Sequence, residues 1–264
     1  MPAGHRPSRL RTGCLLGLAV LAAGPARAGD ISATYNATYN ATWAGLPAVR
    51  IRLVVHDGAA RYADRIDIET QGLPRLFTHF RGTATAEGRL GGQTPAAPSA
   101  YEAIYDLRKR RNSRISMRFV RRGGVSVIER GSDDTSDKPP LAPRFRTNAV
   151  DPLSAFERIR EAIAAARVEG GSFTVPVYDG ARRFDVIGHI PPKERQNPGT
   201  LRLDLTLWPI AGFKKRPGGE DPENAPRMVR LVVTDDQRLM PLWLSVPIWY
   251  LPLVVRLVPG TVNR

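Results

Sequence analysis

The residues best suited to chemistry are His56, His79 and His189, the acid pairs Asp133-Asp134 and Asp235-Asp236, and Ser154. The three histidines fall in three separate predicted elements. None has a second imidazole or thiolate two or four residues away, the spacing that sets two zinc ligands on one face. General acid–base work needs two carboxylates converging from distant segments. The first acid pair instead sits in a polar, proline-bearing loop, and the second in a hairpin turn, where aspartate bonds its own backbone. Ser154 falls in the first turn of a helix. No Gly-x-Ser-x-Gly elbow surrounds it, and no glycine loop runs into Lys-Ser or Lys-Thr. The sequence therefore predicts no catalytic, metal or cofactor site.

The only cysteine is Cys14, inside an apolar run from Cys14 to Gly24. Arg6, Arg9 and Arg11 precede that run, and Ala26-Arg27-Ala28 follows it. A basic start, a short apolar stretch and small residues at −3 and −1 describe a secretory signal peptide, with cleavage expected after Ala28. The run is shorter than the roughly 20 residues a helix needs to cross a bilayer; the alternative is a retained N-terminal anchor. Because the cysteine opens the apolar run instead of closing it, lipid attachment is not expected. Cleavage leaves a chain over 29–264 with no thiol, which suits an oxidising compartment such as the periplasm.

The formal charge is +14, and removing the four arginines Arg6, Arg9, Arg11 and Arg27 leaves +10. For an exported chain the matching counterpart is an anionic membrane surface or an envelope protein, with nucleic acid not expected. An arginine-rich solvated surface is the plainer alternative.

Twenty-four glycines and 23 prolines punctuate short alternating runs, the pattern of an all-β domain. Residues 33–43, ATYNATYNATW, repeat Tyr-Asn-Ala-Thr and also match the N-glycosylation acceptor pattern twice. Strict alternation sets Tyr35, Tyr39 and Trp43 on one face of a strand and the amides and hydroxyls on the other. Those aromatics line a ligand cavity or fill a core. Hairpins are predicted at Asp57-Gly58, Gly123-Gly124, Asp179-Gly180 and Asp235-Asp236, and at a basic turn with Arg110–Ser113 at its tip. Residues 73–80 read as a helical turn or crossover. One main helix is predicted over about 151–169: Asp151 is its N-cap, Pro152 its first position and Gly170-Gly171 its stop. Three prolines break the apolar C-terminal run as a helix, so it reads as a strand.

Several short motifs occur in a consistent order: Ala44-Gly45-Leu46-Pro47, Thr70-Gln71-Gly72-Leu73 and Asp151-Pro152-Leu153-Ser154-Ala155. Tyr178-Asp179-Gly180 with Arg182-Arg183-Phe184-Asp185 comes next, then Asp235-Asp236-Gln237-Arg238 before Pro241. Together they resemble a family of exported bacterial proteins known as domain of unknown function 3108, over most of the chain after its N-terminal segment. That family has no established activity. The resemblance implies an architecture similar to the periplasmic lipoprotein carriers, a strongly curved antiparallel half-barrel wrapped around helical elements and an apolar cavity. The carriers are smaller, and residues 211–226 read as an insertion.

The expectation is thus an exported, mainly β protein that holds an amphipathic or lipidic ligand without bond chemistry. An envelope scaffold that recruits a protein partner is the alternative, and an enzyme with an unrecognised site the third reading. The residues to locate are Tyr35, Tyr39 and Trp43 for a cavity, and the motif positions Asp151, Pro152, Asp179, Gly180, Asp236, Arg238 and Pro241.

Overall fold

Alternation shapes the first strand, β1 (Ala33–Trp43), as its pattern requires: Ala37, Tyr39 and Ala41 are buried, while Asn36 and Asn40 face outward. The structure is a computed structural model that describes residues 33–262 apart from 73, 78, 92–94, 108–109, 123, 133–139, 167–168, 193–195, 214–224 and 249–250. The expected signal peptide with Cys14, the Asp133-Asp134 pair and most of the 211–226 segment lie outside the described residues.

Hairpin turns carry the chain from β1 through β2 (Leu46–Asp57) and β3 (Arg61–Thr70). A four-residue helix, α1 (Pro74–Phe77), then leads to β4 (Phe80–Arg89), β5 (Ala97–Leu107), β6 (Arg110–Arg122) and β7 (Val125–Ser132). The main helix is α2 (Pro152–Ala166). After it come β8 (Gly171–Tyr178), β9 (Arg183–Ile190), β10 (Thr200–Ala211), β11 (Arg227–Thr234), β12 (Pro241–Ile248) and β13 (Leu251–Leu257). The basic hairpin is tighter than its sequence suggests. Leu107 faces Arg110, so Arg110–Ser113 belong to β6 and not to the tip of a turn.

The thirteen strands of the described residues form one antiparallel sheet, ordered β7-β6-β5-β4-β3-β2-β1-β13-β12-β11-β10-β9-β8. The chain's two halves meet where β1 pairs with β13. With every neighbour antiparallel, an odd number of strands leaves the two edges, β7 and β8, running the same way. They cannot join through an antiparallel ladder, and among the described residues the sheet is open between them. A strap from Arg146 to Val150 fills the seam. It bridges antiparallel to β7 at Val127–Thr147 and parallel to β8 at Val150–Val177. The change of direction occurs at Asn148, whose φ of 54° lies in the left-handed region that asparagine tolerates.

Two apolar clusters fill the interior, one on the β1–β7 side around Tyr39, Val55, Tyr62, Met117 and Ile128, the other on the β8–β12 side around Val177, Ile190, Leu203 and Leu231. Helix α2 contributes to both, Leu153 to the first and Ala155 and Ile163 to the second.

Candidate functional site

The helix begins in a buried polar knot. Asp151 is fully buried, and its Oδ1 accepts from the backbone N–H groups of Leu153 (3.0 Å) and Ser154 (2.8 Å). This satisfies two of the donors that a helix start leaves unpaired. The Ser154 hydroxyl donates to Oδ2 of Asp151 (2.5 Å) and accepts from Tyr62 of β3 (2.6 Å). Ser154 therefore joins helix to sheet. Burial pushes the Asp151 carboxyl up to about 6, although these hydrogen bonds hold it down in part.

One turn further on lies an ionic cluster. Arg160 grips both carboxylate oxygens of Glu157 (2.9 and 2.8 Å) and reaches Asp57 of β2 (2.8 Å). Its Nε donates to the carbonyl of Arg238 (3.0 Å). Asp64 enters from β3 with 2 % exposure, and among the described residues no donor reaches either of its oxygens. Three carboxyl groups thus share one guanidinium, and the balance requires a proton. Burial, then the negative charges of Glu157 and Asp57, push Asp64 up to about 9. Asp64 is then the neutral acid beside Glu157. Burial likewise raises Glu157, against the lowering effect of Arg160. Burial also works against the charge on Arg160, but Glu157 and Asp57 more than compensate and raise its pKa. The cluster holds a proton at neutral pH. With Asp64 and Glu157 each 2 % exposed, it is closed to a substrate in this conformation.

On the helix flank, Glu161 accepts from the backbone N–H groups of Ala96 (2.7 Å) and Gly91 (3.3 Å), while Arg158 donates to the Ala96 carbonyl (3.0 Å). The two side chains clamp the β4–β5 connection against α2.

The sequence-singled residues divide between the two ends of the sheet. Tyr39 is core, and burial raises its phenol, whose oxygen has no partner among the described residues. Trp43 is half-buried opposite Leu46 and Leu253. Tyr35 packs against the core edge, and the Arg238 guanidinium lies 5.5 Å above its ring. Asp236 caps the β11–β12 turn, accepting from Thr234 (2.6 Å) and from the backbone of Arg238 (3.0 Å) and Leu239 (3.1 Å). Pro241 opens β12 opposite Val233. Tyr35, Arg238 and the Asp57–Arg160 pair therefore converge at one end. At the other end Asp179 accepts from the backbone of Ala181 (2.9 Å) and Arg182 (2.6 Å), and Gly180 (φ 98°) accepts the Tyr178 hydroxyl (2.7 Å). Pro152 takes the first helical position beside Asp151. Sequence reasoning missed Asp57, Asp64, Glu157 and Arg160.

A separate groove of about 600 Å³ lies across β3–β7. Two neighbouring cross-strand rows build it: Arg65-Thr85-Glu102-Ser116-Gly131 and Ala63-Glu87-Ala100-Arg118-Glu129. Small side chains alternate with charged ones, so the floor is low and the walls are polar. Among the described residues no cluster of three or more histidines or acids is arranged to hold a metal ion, and no helix is long and apolar enough to cross a membrane.

These features define a barrel-like antiparallel sheet with an internal helix, strapped along one seam and locked by a buried ionic cluster. The chain belongs to the family described as protein of unknown function DUF3108, whose model matches residues 35–255. Among solved structures it is similar to a β-barrel-like protein of domain of unknown function DUF1849 from Brucella abortus. That match has 9 % identity and a TM-score of 0.51, and covers 87 % of this chain and 98 % of the other. Identity that low speaks for shared fold alone. No curated protein matches. Both matches are described as of unknown function, so the expected likeness to the periplasmic lipoprotein carriers is not confirmed by them.

Proposed function

We propose that this is an exported periplasmic binding protein without bond chemistry, which takes up an amphipathic or lipidic ligand through the seam between β7 and β8. The observation that carries this reading is the strap. It holds β7 through two backbone hydrogen bonds, Ile128 N–H to Arg146 (3.2 Å) and Asn148 N–H to Ser126 (2.9 Å). It holds β8 through two more, Val150 N–H to Pro176 and Tyr178 N–H to Val150, both 2.8 Å. The other strand junctions are ladders of four or more paired residues, some with a bulge. Directly behind this seam lie Ile128, Val177, Tyr178 and the start of α2, where the two apolar clusters approach each other. Prising the strap away exposes apolar surface worth about 25 cal/mol per Å², which an acyl chain can cover in place of the helix.

The thiol-free expected mature chain supplies the test. Val127 and Thr147 are directly opposed, with hydrogen bonds on either side of the pair, so their side chains lie close enough for a disulfide. Native mass spectrometry of periplasm-purified protein is expected to show a stoichiometric lipid. Oxidised Val127→Cys/Thr147→Cys protein should take up none until it is reduced. A clean protein mass after incubation with envelope lipids overturns the proposal.

A further inference from the structure

Exposed apolar residues scattered singly over a surface need no explanation, but a concentration on one rim does. In this sheet β1, β3, β5, β7, β8, β10 and β12 run toward one end and the remaining strands run away from it. Among the described residues, most of the large exposed apolar side chains lie at or near that end, with Ile187, Trp208 and Met228 on the outer face of β9–β11 and Leu46 and Leu251 at the strand openings of the same rim. Leu46 (50 % exposed) opens β2, Leu251 (44 %) opens β13, and Met228 (61 %) is the second residue of β11. Trp208 (48 %) and Ile210 (43 %) close β10, and Ile187 (39 %) stands five residues into β9. The register sets Thr206 opposite both Ile187 and Met228, with Trp208 two positions further on. At such diagonal distances, about 7–8 Å, large side chains touch. The far end of the sheet shows one counterpart among the described residues, Val125.

Guanidinium groups border this arc. Arg50 on β2, Arg75 on α1, Arg81 on β4, Arg182 before β9 and Arg230 on β11 are all exposed. The neighbouring acids are largely engaged: Arg81 pairs with Glu69, Arg183 with Asp185, and Asp179 caps its own turn. An arc of aliphatic side chains and a tryptophan, fringed by arginine on a chain that keeps a formal charge of +10 after the expected cleavage, matches an anionic bilayer surface. Tryptophan sits well at the headgroup level, and arginines near such a surface are drawn to its negative charge.

We propose that the rim carrying Leu46, Trp208, Ile210, Met228 and Leu251 docks the protein onto an anionic membrane surface. Docking uses the outer rim and leaves the strap and interior untouched, so it stands or falls separately from ligand capture. The test is vesicle flotation of the periplasm-purified protein, comparing phosphatidylcholine vesicles with vesicles containing phosphatidylglycerol. The wild-type protein is expected to float with the anionic vesicles and to lose most of that binding in high salt. Trp208→Ser/Met228→Ser should retain the wild-type melting temperature and partition at least tenfold less. Val125→Ser, at the opposite end, should bind as the wild type does. Absence of wild-type binding, binding indifferent to phosphatidylglycerol, or equal losses in the rim and control variants each overturn the proposal. A protein whose rim serves a protein partner instead gives the first of these results.

Discussion

Replacing Asp64 with asparagine should make the protein more stable at alkaline pH, the reverse of what removing a buried charged residue usually does. The groups facing Asp64 are Tyr62 on its own strand, Asp57 on β2, and Glu157 and Arg160 on α2, with the Asp151 cap one turn away. Asp64 is raised from the ordinary carboxylate range near 4 to about 9. The folded state therefore binds a proton that the unfolded chain releases above pH 4. Stability from this group is complete in acid and falls as pH rises through that window, by at most about 1.4 kcal/mol per unit. At pH 8 the ceiling is on the order of 5 kcal/mol, from which local relaxation subtracts. Glu157, raised by burial, and Asp151, raised to about 6, act with the same sign. Asp67, lowered by its hydrogen bond from Arg65, acts oppositely, but only in the acid range. Asparagine keeps the shape and always carries a donor for Glu157. Urea unfolding should show the wild-type midpoint falling between pH 5 and pH 8. The Asp64→Asn midpoint should fall less and lie about 1 M higher at pH 8, at a slope of about 2 kcal/mol per M. A wild-type midpoint that rises over this range, or a variant less stable than wild type at pH 8, refutes the shared-proton account.

Two further outcomes test how the helix is held. Ile163 is 1 % exposed in the β8–β12 cluster, so Ile163→Ala should cost about 2–5 kcal/mol by thermal or urea unfolding. Gly88 lies opposite Tyr62, and a Cβ there would stand 2.6 Å from the Tyr62 hydroxyl and 2.5 Å from the Ala97 carbonyl. Gly88→Ala should therefore dislodge the ring, break its bond to Ser154 and cost about 1–3 kcal/mol, with a changed near-ultraviolet tyrosine signal.

The legible parts of this molecule are those governed by local rules. Period two in ATYNATYNATW, the Asp57-Gly58 and Asp179-Gly180 turns and the Asp151-Pro152 cap each act within a few residues, and each stands in the structure as its pattern implies. The ionic cluster brings together residues up to 103 positions apart, so no window of sequence contains it. It did leave a trace. Asp64 alternates in phase with Tyr62 and Ile66, core-facing positions of β3, and Glu157 and Arg160 fall four and seven residues after buried Leu153. Charges placed in the apolar phase of two elements signal a partner across the core. The eye drawn to adjacent acids such as Asp235-Asp236 passes over acids separated by topology.

The seam has a deeper origin. Every hydrogen-bonded neighbour pair in the sheet is antiparallel, β1 with β13 included, so an odd number of strands leaves its two edges running the same way. The remaining edges, β7 and β8, are parallel, and exposed edges invite pairing with other chains. The long β7–β8 connection resolves this by laying Arg146–Val150 into the gap, reversing at Asn148 to suit both neighbours, and only then starting the helix at Asp151. Strap, cap and helix are thus one continuous segment. A displacement of the strap is transmitted directly to Asp151, then through Ser154 to Tyr62 on β3. The proton-sharing cluster begins one turn later, at Glu157. The strap and the most charged part of the interior therefore hang on one helix, the first through the Asp151 cap and the second through Glu157 and Arg160.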